Sequence, residues 1–217
     1  QGNGQTRSAE TWRGAMGQFK AEVRAAAPHA EIVHNAIWFA AGSAGSSDPS
    51  VRREIESADY VLLERGVNDS GLTGGSGPWS LNALLSYIDQ VHALGRGVVL
   101  DGGASDPRGM EYNLASYFLT STGNDAVSGH GQTPANWWNG WDIDLGEATS
   151  ERYVWDNLLL RAFSGGIALV NPPGAHTQPN SLPGAIPTTN GELGTSATLR
   201  AAWGLGLMGN LKVTAGP

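Results

Sequence analysis

The feature that most constrains this chain is a rhythm. Short apolar runs, each closing on a polar residue, alternate with segments of helical period. The runs are Ile32-Val33 before His34-Asn35, Tyr60 to Leu63 before Glu64, Val98 to Leu100 before Asp101, and Ile167 to Val170 before Asn171. Strands apolar at nearly every position are buried on both faces, which is the habit of a parallel sheet layered with helices.

Between the runs lie the helical segments. Trp12, Met16, Phe19 and Val23 share one face of a helix expected over Ala9–Ala26, with Pro28 beyond its end. Asp48 starts a short helix from Pro49 to Ser57. Leu81, Leu84, Leu85, Ile88 and Val91 mark a helix over Ser80–Leu94, which Gly95 stops. Further helices are expected over Gly109–Leu119 and Arg152–Phe163. The expected fold class is therefore α/β: a (β/α) barrel-type parallel sheet of about four units over 1–171, a partial or half TIM barrel. With 217 residues the chain is shorter than the roughly 250 of a complete eight-fold barrel. From Pro172 the composition turns to Pro, Thr, Gly and Asn, and 172–217 reads as an extension packed on the barrel, with short strands around Thr195–Leu199.

Charge and composition narrow the function. A net charge of −7 opposes a nucleic-acid partner, since a phosphate backbone needs a basic face, and it suits a neutral substrate. No apolar run approaches the ~20 residues of a membrane span. The chain has no cysteine, which excludes disulfides and thiolate metal sites and fits a secreted or periplasmic bacterial protein as well as a cytosolic one. It opens at Gln1 without a methionine, so a processed, trimmed or interior start is expected. No motif calls for a metal or a cofactor: H-E-x-x-H and G-x-S-x-G are missing, and no Gly-Lys-Ser/Thr follows the glycines of 71–77.

The chemistry-bearing residues gather where a parallel sheet builds its site, at the C-terminal ends of strands. Asn35, Glu64, Asp101 and Asn171 occupy those ends. Asn and Asp are also ordinary turn residues, but Glu is not. Glycoside hydrolysis needs two carboxylates about one glycosidic bond. Glu64, closing an apolar strand, suits the general acid, because desolvation favours a carboxylic acid over its anion. Asp101, one strand over, is its candidate partner as nucleophile or base. Trp38, Arg65, Asn68 and Asp69 sit just beyond strand ends, where they could meet sugar hydroxyls and ring faces. A second cluster, His130 and Gln132 followed by Asn136, Trp137, Trp138, Asn139, Trp141 and Asp142, combines flat rings with amides, as a sugar cleft does. Some of these rings are also expected to pin a long loop to the fold.

Four segments, ADYVLLERGVND, VSGHGQTPANWWNGWDIDLGEA, RYVWDNLLLRAFSGGIALVNPPG and TWRGAMGQFKAEVRAAAP, resemble a family of predicted bacterial TIM-barrel enzymes, the hypothetical glycosyl hydrolase family 15. The likeness runs from about Trp12 to Pro173. It implies a hydrolase of polysaccharides or oligosaccharides with Glu64 as strand-end acid, Asp101 as neighbouring carboxylate, Asn171 on the last strand, and His130, Trp137 and Trp138 in an active-site loop. Related barrels carry a further acidic residue on a strand ahead of the helix that opens this chain. The resemblance therefore implies the C-terminal half of a barrel, whose open edges invite self-association or pairing with an N-terminal half. The alternative is a non-catalytic carbohydrate-binding protein derived from such a barrel.

Overall fold

The computed structural model describes residues 9–35, 38, 48–102, 105–129, 135, 137–155, 157–175, 178–187, 193–199 and 214–215. Four strands, β1 (Val33–Asn35), β2 (Tyr60–Glu64), β3 (Gly97–Asp101) and β4 (Ala126–Ser128), form one parallel sheet in the order β1-β2-β3-β4. The helices described in full are α1 (Ala9–Ala26), α2 (Pro49–Glu56), α3 (Leu81–Ala93) and α4 (Pro107–Thr120). This is the expected parallel α/β arrangement. Among the described residues no helix is long and apolar enough to cross a membrane.

Local chemistry sets the helix limits. Asp48 accepts a hydrogen bond from the Ser50 amide (2.8 Å) and Pro49 opens α2, while Ser80 accepts from the Ala83 amide (3.1 Å) to start α3. Gly95, at φ +71°, lets the chain leave α3 as its amide bonds the His92 carbonyl.

Strand alternation then divides the sheet into two faces. His34, Val61, Leu63, Val98 and Leu100 point to the helices and are buried with Ile55, Leu84, Ile88, Val91 and Leu119. Asn35, Leu62, Glu64, Val99, Asp101 and Ser128 alternate onto the opposite face, where none is fully buried. Strands added in one direction through right-handed crossovers keep their helices on a single side, so the other side stays open for a site.

Helix α1 departs from expectation. Its polar side packs on α2: Gly17 approaches the Ser50 carbonyl, and Arg13, Lys20 and Arg24 pair with Asp48, Glu54 and Asp59. The apolar stripe faces outward, with Trp12 59% and Phe19 57% exposed.

The second half corrects two expectations. Arg152–Phe163 holds no helix but two strands, β5 (Tyr153–Trp155) and β6 (Leu158–Phe163), and Ile167–Val170 falls within β7 (Gly166–Val170) of the same antiparallel sheet, not in the parallel one. The fourth parallel strand is β4 instead, so Ser128 takes the strand-end place expected of Asn171. Two-residue loops join the antiparallel strands, the first with Asn157 at φ +63° and the second at Ser164-Gly165. Leu158 to Leu160 are all buried, so no alternation marks the strand, and an apolar run of that length reads equally as helix. This sheet is tied to α4 by buried Arg161, whose guanidinium donates to the Phe118 and Ser121 carbonyls at the helix C-terminus, 3.2 and 2.8 Å away.

The backbone continues into β8 (Gln178–Pro187) and β9 (Leu193–Leu199), paired antiparallel, and β10 (Thr214–Ala215), which adds to β7. The strand expected near Thr195–Leu199 is thus part of β9.

Candidate functional site

Parallel register makes Glu64 and Asp101 direct neighbours at the C-terminal ends of β2 and β3, on the open face. Each carboxylate has a polar neighbour from an outer strand. Asn35 donates from Nδ2 to Glu64 Oε2 at a long 3.4 Å, and Ser128 donates from Oγ to Asp101 Oδ1 at 2.9 Å. Glu64 is exposed, so its carboxylate is not enclosed by the apolar strand as the sequence had suggested. The row Asn35, Glu64, Asp101, Ser128 is thus one polar edge contributed by four consecutive strands.

Beyond Glu64 the chain turns through two left-handed residues, Arg65 at φ +64° and Gly66 at φ +50°. A non-glycine residue held there stores backbone strain, which tends to cluster at functional sites. The turn lets residues 66–68 fold back as a single 3-10 turn beneath the strand ends. Asn68 then donates to the Gly102 and Gly109 carbonyls (2.7 and 3.3 Å), and buried Asn113 donates to the Ser128 carbonyl (2.8 Å). These bonds commit the Asn68 amide nitrogen to holding the loops that follow β2 and β3. Arg65 is exposed and forms no ion pair with Asp69, whose Oδ1 accepts from the Gly71 amide at 2.7 Å.

A pocket of about 320 Å³ opens beside Glu64, lined among others by Trp38, Leu62, Asp69, Leu72 and Trp79. That volume is at the lower end of small-molecule sites, about 300–1,000 Å³. Trp38 is buried in its wall, packed against Trp79 (centroids 6.0 Å, planes at 90°) and Tyr87 (5.2 Å). Trp79 is 39% exposed. Trp79 and Ser128 are site residues beyond those expected from sequence. The signal for Trp79 was a large ring in a polar loop directly before the Ser80 cap; Ser128 closes a three-residue strand too short to announce itself.

The tryptophan-rich segment divides into packed and exposed rings. Trp138 and Trp141 stack edge to face at 5.0 Å and pack on the core, with Gly140 making room for the Trp138 ring. Trp137 is 58% exposed and donates from its indole nitrogen to Asp142 (3.1 Å). His130, Gln132 and Asn136 lie outside the described residues. Asn171 follows β7 and is fully buried, so it is not part of the exposed polar edge.

The arrangement brings together two carboxylates, an amide, a hydroxyl and a pocket walled by aromatic and aliphatic side chains. Such a set can hold a polyhydroxylated ring and exchange protons with it. No family model matches this chain, and neither does any curated protein.

Proposed function

We propose that this protein is a glycoside hydrolase of (β/α)-barrel type, acting on a polysaccharide or oligosaccharide. The observation that carries the reading is the in-register pair Glu64 and Asp101 at adjacent parallel strand ends, beside an aromatic-walled pocket. Glu64 protonates the leaving glycosidic oxygen as general acid, and Asp101, steadied by Ser128, acts on the anomeric carbon directly or through water. Asn35 orients the Glu64 carboxylate. The resemblance to the hypothetical glycosyl hydrolase family 15 supports the same reaction class.

The strand order β1-β2-β3-β4, with no reversal and a half-open second face, supports a partial barrel. A doubly wound sheet would reverse direction at a switch point. The exposed stripe of α1 and β1, the outer strand among the described residues, mark where a further β/α unit or a second copy would pack.

Reducing-sugar release from a polysaccharide panel tests the proposal. Wild type should release sugar, and Glu64→Gln should lower the rate by at least about 100-fold, as loss of a general acid does, while glycan binding persists. Binding without release by either protein would favour a carbohydrate-binding role instead. The exposed rings of Trp79 and Trp137 are compatible with that role.

A further inference from the structure

We infer that Trp79 is the stacking platform of a neutral-sugar subsite in the pocket beside Glu64, with Asp69 as a hydroxyl acceptor. This rests on the carbohydrate reading of the same site and adds the residue and the substrate charge class.

Among the described residues two aromatic rings line the pocket, and they differ in access. Trp38 is 4% exposed and serves as wall, whereas Trp79 keeps 39% of its surface. A tryptophan face covers the apolar C–H face of a sugar ring, and an indole held in place loses little entropy when it does so. Trp79 is held in place. Its carbonyl accepts from the Thr73 amide (2.9 Å), the Thr73 carbonyl accepts from the Leu81 amide (2.9 Å), and the next residue, Ser80, caps α3. The same loop is seated against the segment after β7: a Cβ on Gly74 would stand 2.2 Å from the Pro173 carbonyl oxygen, so only glycine fits there.

The polar lining sets the charge class. Among the described residues, Glu64 and Asp69 are the charged members of the pocket lining, and both are acidic. Asp69 uses Oδ1 to accept from the Gly71 amide, which fixes the carboxylate and leaves Oδ2 for a sugar hydroxyl. A uronate would meet the Asp69 carboxylate with no described Lys or Arg in the lining to offset it, a repulsion that grows as water is displaced from the pocket. Neutral hexoses and pentoses incur no such cost.

The test is calorimetric titration with neutral gluco-, manno- and xylo-oligosaccharides and with oligogalacturonate. The proteins are wild type, Glu64→Gln, Trp79→Ala and Trp79→Phe, each checked for folding by circular dichroism and melting. At least one neutral oligosaccharide should bind wild type and Glu64→Gln alike. Trp79→Ala should weaken it about tenfold or more, Trp79→Phe should recover most of the loss, and oligogalacturonate should not bind. A folded Trp79→Ala that binds as wild type does would overturn the platform, and preferential binding of oligogalacturonate would overturn the charge class. In both cases a Glu64→Gln variant that binds without turnover leaves the hydrolase reading standing. If wild type binds no saccharide, the subsite and the carbohydrate reading fall together.

Discussion

Asp125, just ahead of β4, anchors the end of the sheet opposite the site. Its side chain is almost fully buried, with His92 Nε2 2.8 Å away, and it accepts from the amides of Val98 (2.7 Å) and Thr122 (2.9 Å). Burial alone would raise its pKa, but hydrogen bonds from His92, Thr122 and Val98 outweigh that and hold it below the ordinary value of 3.8. Asp125→Ala should therefore cost about 3 kcal/mol in a urea titration, because several donors lose their acceptor at once. His34, on the helix-facing side of β1, is shifted the same way for another reason: burial disfavours its cation and lowers its pKa below 6.5, although its bond to the Glu54 carbonyl (3.0 Å) works against this. In both cases the unfolded chain takes up the proton more readily, so stability is complete above the unfolded pKa and declines as pH falls towards the folded one. Stability should fall first as pH drops below 6.5, through His34, and again below 3.8, through Asp125. In His34→Gln the upper step should vanish; if it persists unchanged, another group is responsible.

Among the elements, those with punctuation were legible. The bounds of α1 coincide with the expected ones, and α2 and α3 begin beside the residues that cap them, Asp48 and Ser80. Punctuation failed where burial erased periodicity. Leu158 to Leu160 are buried on both sides of β6, so their pattern does not tell a strand from a helix. One close approach within the parallel sheet also has a measurable consequence. Gly97 opens β3 opposite Tyr60 on β2, and a Cβ there would lie 2.1 Å from the Asn124 carbonyl oxygen and 2.7 Å from the Tyr60 ring. Gly97→Ala must push β3 from its neighbours, and a loss of about 2–4 kcal/mol is expected. A variant that melts with wild type would show that the strand starts are not packed this closely.

At the scale of the whole molecule, α1 is the unusual part. A helix normally buries its apolar stripe and exposes its charges, yet here Arg13, Lys20 and Arg24 face α2 while Trp12, Phe19 and Val23 meet solvent. Exposed aromatics at helical spacing, with an edge strand in the same sheet, favour association. Sedimentation velocity over rising concentration should show self-association of this chain that is reduced in the double variant Trp12→Ser, Phe19→Ser. A concentration-independent monomer in both proteins would mean that the stripe is simply surface.

Legible in the chain alone were the helices and strands from α1 to α4 other than β4, the parallel sheet through β3, and the carboxylates at two strand ends. Period, capping and strand-end polarity are local properties, and the residues that carry them lie within a turn or two of one another. Tertiary structure alone decided that β4 and not Ile167–Val170 completes the parallel sheet, that Trp38 is wall while Trp79 is accessible, and that α1 turns its apolar side outward. Each of these depends on which distant surface covers a residue. A three-residue strand, a leucine run and an amphipathic stripe read the same in sequence whichever neighbour the fold supplies.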